Sequence, residues 1–241
     1  EPAKAVLEGW HALTDSIDTA DVASAIHGTT LITNALIERK GAKTALLTTK
    51  GFRDVLEIGK EMRYDIYDLL LTLPEPLVPR PWRFEVSERL NAKGDVVTPI
   101  DKDELARVTQ DLKDAGVEAL AVCFLHAFTN PEHEQAVAEA LENVGFSVSL
   151  SHQVAPEIRE FERMSTTVCN AYVQPLTERY LTTLQDKLQD AGFGHQLYLM
   201  LSSGGVSTAQ TAQAFPVWLV ESGPAAGLLA AIYYGQLTGN D

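Results

Sequence analysis

Two short stretches carry residue types and spacing that could handle a phosphoryl or carbonyl oxygen. His27-Gly28-Thr29-Thr30 ends an apolar run and opens a helical pattern, with Asn34 one turn further on. Unbonded backbone N–H groups at a helix start attract anions, threonine hydroxyls add neutral donors, and His27 could act as a donor or an acid. The same residues also make an ordinary capping turn with a hydrogen-bonded histidine. Ser202-Ser203-Gly204-Gly205 follows a second apolar run, and a glycine pair there lets backbone approach a ligand closely. A plain turn is the competing reading. Neither stretch completes a Walker loop or a dinucleotide fingerprint.

Other candidates carry less chemistry. Glu157, Glu160 and Glu162 crowd a helix start, where negative charge is favourable. Arg159 and Arg163 stand four residues apart on one face. They read either as surface ion pairing or as arginines that meet an anionic substrate. Arg63, with Tyr64, Asp65 and Tyr67, forms a polar-aromatic loop that lines a substrate cleft or is an ordinary loop. His126, His133, His152 and His195 sit in unrelated contexts, with no Gly-x-Ser-x-Gly elbow and no two-histidine zinc helix. No residue is thereby assigned as catalytic and no metal ligand set is read. Cys123 and Cys169 lie in apolar surroundings and read as reduced core thiols.

The elements that must position these residues alternate. Val22–Thr29 reads as a short strand, 31–40 as a helix stopped by Gly41, Ala42–Thr49 as a buried strand, and Gly51–Asp54 as a turn into a helix through Ile58. That order favours a parallel α/β layer. Pro74, Pro76, Pro79 and Pro81 make 69–81 an extended loop. Residues 83–90 alternate as a half-buried strand, Asn91–Asp95 turns, and Val96–Thr98 returns as a hairpin. Asp101 caps a helix closed by Gly116. Ala119–Phe124 is the most apolar strand, Asn130-Pro131 opens a helix through Asn143, and Ser147–Leu150 is a further strand. Residues 156–192 are helical in pattern, with a break or sharp kink expected near Gln174 because of Pro175. Gln196–Leu201 reads as a strand, Ser207 as a helix start and Val217–Val220 as a strand. Glu221–Gly227 opens a small-residue helix suited to close packing against a neighbour.

Composition bounds the class. The 241 residues suit one large or two small domains, and 33 acidic against 19 basic residues give a net charge of −14. That balance argues against nucleic acid as the main partner, because phosphate binding needs an excess of cations. No apolar run approaches the roughly 20 residues of a membrane span. The first residue is Glu1 rather than Met, so the chain is expected to begin inside a longer or processed, cytoplasmic product.

In order, the sequence resembles the hydantoinase A/5-oxoprolinase family. The matching stretches are 27–36 (His-Gly-Thr-Thr-Leu-Ile-Thr-Asn-Ala-Leu), 51–59 and 74–80. Asn130–Glu134, Ser165–Val168, 170–175, Ser203–Val206 and Ser222–Gly227 continue the series. The resemblance implies an α/β, actin-like ATPase (ribonuclease H-like) fragment with a mixed sheet, flanking helices and a β-hairpin insertion. It divides the chain into an N-terminal-type region, 1–152, and the start of the ATPase-type domain, 153–241. It further implies an ATP- and Mg²⁺-dependent subunit that activates a cyclic amide carbonyl by phosphoryl transfer for ring-opening hydrolysis. Relatives that carboxylate ketones such as acetone or acetophenone supply the alternative, and a non-catalytic substrate-binding or assembly module is a third. A hydantoinase B-type subunit is the implied partner, alongside self-association. His27, Gly28, Thr29, Thr30, Asn34, Arg63, Ser203, Gly204 and Gly205 become candidates for substrate or phosphate binding. Ser222, Gly223, Pro224 and Gly227 become candidates for an interdomain hinge. The family's two Asp-x-Gly-Gly-Thr phosphate loops are expected before Glu1 and after Asp241. The 241 residues are therefore expected to be an internal fragment that neither turns over ATP nor binds it tightly.

Overall fold

The computed structural model describes residues 2–62 and 64–239. In chain order its elements are α1 (Pro2–Thr14), β1 (Ser24–His27), α2 (Leu31–Ile37), β2 (Thr44–Thr49), α3 (Val55–Ile58), β3 (Arg83–Val86), β4 (Arg89–Leu90) and β5 (Val96–Thr98). There follow α4 (Lys102–Asp114), β6 (Ala119–Cys123), α5 (Glu132–Leu141), β7 (Ser147–Leu150), α6 (Ser151–Val154) and α7 (Glu160–Asp190). The chain closes with β8 (Gln196–Met200), β9 (Val206–Thr208), α8 (Ala209–Ala214) and α9 (Ser222–Thr238). These form two compact units: unit 1 comprises the residues up to Gly41 and those from Val173 onward, and unit 2 is Ala42–Tyr172.

Unit 2 is a three-layer α/β/α arrangement. Its sheet runs β3-β2-β6-β7, parallel throughout. A parallel sheet covered on both faces needs strands without polar alternation, and every residue of β2 and β6 is buried. On one face Leu47, Leu120, Val122 and Phe124 meet Leu105 and Leu112 of α4 and Val137 and Leu141 of α5. On the other, the small side chains Ala119, Ala121 and Cys123 leave room for Met164, Val168 and Ala171 of α7. Burial holds the Cys123 thiol up, at about 11, and pushes Cys169 in the same direction. Both cysteines are free, as their apolar contexts predict.

The hairpin β4–β5 is antiparallel. Asp101 caps α4 by accepting from Asp103 N (3.0 Å) and Glu104 N (2.9 Å). Glu104 in turn accepts from Ser87 N at 2.6 Å and pairs with Lys50 at 3.2 Å. The Ser87 backbone bond, then the Ser87 hydroxyl and Lys50, hold its carboxyl at about 2 against an ordinary 4.5. A lowered folded-state value stabilises above the unfolded value, and that contribution is lost as pH falls through the folded one. Stability is therefore expected to fall between about pH 4.5 and pH 2, and Glu104→Gln is expected to flatten that part of a urea-midpoint-versus-pH curve. An unchanged slope counts against the Glu104 assignment.

Unit 1 holds a mixed sheet, β1-β8-β9, with β1 parallel to β8 and β9 antiparallel to it.

Five expectations are corrected by the backbone. Helix α2 ends at Ile37, not at Lys40, because Arg39 adopts the left-handed conformation (φ 54°) and Lys40 N bonds back to Ala35 O at 2.9 Å. Helix α7 starts only at Glu160 and then runs 31 residues through Pro175, without the break expected near Gln174. Pro175 removes the donor that would bond Ala171 O, and the neighbouring Tyr172 O accepts from Ala42 N, outside the helix, at 2.8 Å. Ser207 lies in β9, and the helix begins at Ala209 behind a Thr208 cap. Residues 216–219 form a 3₁₀ turn rather than a strand, since Pro216 sets the first turn and cannot donate to a ladder. Along 83–90 the burial does not simply alternate, because Arg83 is buried at the start and Glu88 lies on the inward side between Val86 and Leu90.

Candidate functional site at the strand ends of unit 1

Parallel pairing of β1 with β8 sets His27 opposite Leu199. The loops that follow the two strands therefore leave from the same sheet edge, the end at which open α/β sheets bind ligands. Gly28 lies there, with a Cβ built on it 4.0 Å from Met200 Cβ. On the other loop Gly204 N bonds to Leu201 O (3.0 Å) and Leu201 N to Gly205 O (2.8 Å), a tight turn in which Gly204 takes φ 83°. Ser202 N and Oγ both donate to Trp218 O, at 2.9 and 3.0 Å. The start of α9 joins the same place: Ser222 Oγ donates to Thr29 O at 3.3 Å and Glu221 N to Thr33 Oγ1 at 3.5 Å. Leu229 of α9 is 3.7 Å from a Cβ built on Gly204. Three stretches separated in sequence thus form one edge, with Gly28, Thr30, Asn34, Ser203 and Gly205 exposed on it.

His27 faces the other way. Its Nε2 is 2.7 Å from the Tyr180 hydroxyl, and the Thr29 side chain acts on the same phenol. Burial lowers the His27 value and raises that of Tyr180, so both are neutral at pH 7. Thr29 Oγ1 accepts from Leu31 N at 3.1 Å, which leaves the hydroxyl of Thr30, 3.4 Å from Asn34 Nδ2, toward solvent. Tyr180 escaped sequence reasoning because it is a helix residue far from His27 in the chain. Arg63 lies outside the described residues. Gly223, Pro224 and Gly227 are exposed on α9, and a Cβ at either glycine would meet nothing within 4 Å. The close packing expected of that helix is absent among the described residues, where only Ser222 of α9 is buried.

A second constellation, at the corresponding strand ends of unit 2, went unseen in the sequence. Glu134, fully buried on α5, accepts four bonds. Oε1 takes Phe124 N (3.0 Å) and Ser151 Oγ (2.6 Å), and Oε2 takes His152 N (3.0 Å) and His152 Nδ1 (2.7 Å). Arg163, 1% exposed, donates to Ser151 Oγ (3.2 Å), Glu157 O (2.9 Å) and Phe124 O (2.8 Å). Its guanidinium lies 5.2 Å from the Phe128 ring centroid. Arg163 is therefore neither a surface ion-pair partner nor open to a substrate, whereas Arg159, at φ 77°, is exposed and 3.5 Å from Glu162. Beside this network Glu88 binds the Thr49 hydroxyl and His133 Nδ1 (2.7 Å), both within the core. Ser151 is buried and has both its donor and its acceptor engaged. It ties an anion to a cation and offers no nucleophile.

The sequence matches the hydantoinase/oxoprolinase N-terminal region over residues 1–145 and the hydantoinase/oxoprolinase domain over 163–241. The chain belongs to the hydantoinase/oxoprolinase family. It is 32% identical over 248 residues to a 5-oxoprolinase of Dictyostelium discoideum, covering 92% of this chain and 19% of that protein. The crystal structure of an ATP-dependent caprolactamase from Pseudomonas jessenii superposes with TM-score 0.88 at 31% identity, covering 98% of this chain and 36% of that one. A nucleotide-free acetone carboxylase structure gives TM-score 0.81 at 25% identity, covering 95% and 34%. The chain spans about a third or less of the length of the curated relatives it matches. Its α/β architecture, with a mixed sheet in unit 1 and a hairpin in unit 2, is of the actin-like type. Among the described residues no helix is long and apolar enough to cross a membrane. In this hydantoinase/oxoprolinase chain the stretches that carry the family pattern divide between two tasks. Those at 27–36, 203–206 and 222–227 build the exposed edge of unit 1, and Asn130–Glu134 feeds the buried network of unit 2.

Proposed function

We propose that this chain is part of an ATP-dependent amide hydrolase subunit, and that the strand-end edge of unit 1 holds an oxygen of the phosphoryl group or of the activated carbonyl during ring opening of a cyclic amide. The convergence of 27–30, 202–205 and 222–229 on one exposed edge carries the reading. Its accessible donors are neutral hydroxyls at Thr30 and Ser203, beside glycines that let backbone come close. Prepositioned neutral donors of this kind stabilise charge that develops on an oxygen without reorganising.

Such donors fit a phosphoryl or carbonyl oxygen, and they are not by themselves a nucleotide site. No group of three His, Cys, Asp or Glu side chains among the described residues is placed to hold a metal, so no Mg²⁺ ligand is assigned. ATP, when bound, supplies the phosphoryl group that makes a carbonyl oxygen a leaving group. Neutral His27 does not clamp an anion by charge, and through Tyr180 it fixes the loop that carries Gly28 and Thr30. The reading includes a cytoplasmic setting, a hydantoinase B-type partner subunit or self-association, and movement about Ser222, Gly223, Pro224 and Gly227 at the start of α9.

In the full-length subunit Gly28→Val is expected to lower ATP-dependent ring opening at least tenfold with the melting temperature unchanged, because a branched side chain closes the approach to the edge. Wild-type turnover by that variant would falsify the site. The 241 residues alone are expected to hydrolyse no ATP, and turnover by them overturns that part. The likeness to acetone carboxylase favours a second reading, ketone carboxylation. ATP consumption that requires acetone and bicarbonate, with none on a lactam, selects it.

A further inference from the structure

Tyr180, buried on α7, holds its one hydroxyl between two residues of the turn that follows β1. Its oxygen lies 2.7 Å from His27 Nε2, and the Thr29 hydroxyl bonds to it as well. Thr29 Oγ1 in turn accepts from Leu31 N at 3.1 Å, and Asn34 N bonds to Thr30 O at 2.9 Å. A buried helix residue thus reaches the turn that carries Gly28 and Thr30.

Each of the two hydroxyls and the neutral imidazole has a single proton to give, and only one order along the line uses them well. Burial raises the Tyr180 value, whereas the Thr29 bond draws it down, as a bond donated to the phenol oxygen does. Tyr180 then gives its own proton to His27 Nε2, and the ring keeps its proton at Nδ1. In the reverse order Nε2–H donates to Tyr180 and Tyr180 to Thr29. Thr29 Oγ1, already taking Leu31 N, would then carry a proton with no acceptor on the relay.

Burial alone lowers the His27 value. The space beside the ring is walled by Trp10 and Leu13 of α1, Leu188 of α7 and Leu197 of β8, with no other acid or base along it. Strand β8 sets Leu199 opposite His27 and Tyr198 opposite Ile26. Of the charged groups on the adjoining helices, Arg179 and Glu221 are exposed, and Glu178 accepts from Gln174 Nε2 at 3.1 Å. Protonation of His27 puts a second ring proton on Nε2, against the Tyr180 proton. The phenol then has to turn away, and Thr29 loses its acceptor.

We propose that Tyr180 is a positioning residue for the strand-end edge, holding His27 as the Nδ1–H tautomer through this one-way relay, and that protonation of His27 releases the turn carrying Gly28 and Thr30. The bearing on catalysis rests on the reading of that edge proposed above, whereas the relay is a property of unit 1 alone.

The test is nitrogen NMR of the histidine-labelled 241-residue chain, together with amide hydrogen exchange. At pH 7 His27 is expected to show a bare Nε2 and a protonated Nδ1. This is read on the wild-type chain, so it decides even where a variant fails to fold. Tyr180→Phe is expected to raise the pH midpoint of His27, because the neutral ring loses the bond donated to it. It is also expected to speed exchange of the Leu31 and Asn34 amides at least tenfold, while Val122, in the sheet of unit 2, keeps its rate. His27→Gln, whose amide oxygen can stand where Nε2 stood, is expected to protect the two amides better than His27→Asn. A proton on Nε2, an unmoved midpoint, unchanged exchange in the Tyr180→Phe chain, or equal exchange in the glutamine and asparagine chains overturns the inference. In the full-length subunit Tyr180→Phe is expected to lower kcat for ring opening at least tenfold with KM little changed, and wild-type kcat overturns the positioning role. A wild-type subunit that opens no lactam strikes the functional reading instead, and leaves the NMR result standing.

Discussion

Glu134→Ala is expected to cost unit 2 about 3–5 kcal/mol, the range for removing one partner from a buried charged network. The carboxylate takes Phe124 N, Ser151 Oγ, His152 N and His152 Nδ1. Alanine strands all four donors in a region without solvent, and the Arg163 guanidinium loses the anion that Ser151 links to it. Glu134→Gln keeps the shape, but places an amide NH₂ against donors at one of its two ends. It is expected to lose a substantial part of the same free energy. Urea unfolding read from Trp82 fluorescence, in a background with Trp10 and Trp218 replaced by phenylalanine, isolates unit 2. A loss below about 1 kcal/mol for the alanine variant would mean that water or relaxation satisfies the donors and that the network is worth little.

Arg83→Met is expected to cost about 2–4 kcal/mol. Hydrogen bonds from charged groups contribute roughly 1.5–3 kcal/mol, and the acceptors left behind at Val78 and Arg53 are hard to resolvate. The informative companion is Arg83→Lys. An ammonium cannot span Val78 O, Arg53 O and Glu57 at once, so lysine is expected to recover less than half of the loss despite keeping the charge. Full recovery by lysine in the same unfolding assay would show that charge alone, and not the planar fork, holds the start of β3.

Much of the local structure was legible because it is written in neighbouring residues. Asp101 before a periodic run, Gly116 after it and Asn91–Gly94 between two short strands each state their conformation within a few positions. Long-range determinants were legible only where a pattern carried them. The parallel character of the sheet in unit 2 followed from alternating strand and helix signals, although the first of the strands so read, β1, pairs with β8 in unit 1 and not with β2. The edge of unit 1 did not, since nothing in His27–Thr30 or Ser202–Gly205 says that β1 will lie beside β8. The buried network was missed for a related reason, because its members come from α5, α6, α7 and the loop that follows β6. One signal was present: Glu134, Val137 and Leu141 stand at i, i+3 and i+7, so Glu134 falls on the apolar stripe of its own helix. Likewise Thr167 and Asn170 follow Arg163 at i+4 and i+7, and all three are buried. A charge on a helix's inward stripe has to be met by partners, and that rule would have marked both residues. Pro175 shows the opposite error, in which a strong local rule yielded to a long helix anchored by its packing.

The bond from Ala42 N to Tyr172 O, 2.8 Å long, joins the first and last residues of unit 2. A body whose two ends meet can be lifted out of its host chain as a cassette, or reopened elsewhere once a short linker joins them. The exposed Ala92-Lys93 pair of the hairpin turn is a natural new opening. A circular permutant that starts there keeps every strand of the parallel sheet intact, together with the Glu134 network. Unit 2 is thereby portable, and grafting it onto an unrelated scaffold needs only two adjacent attachment points.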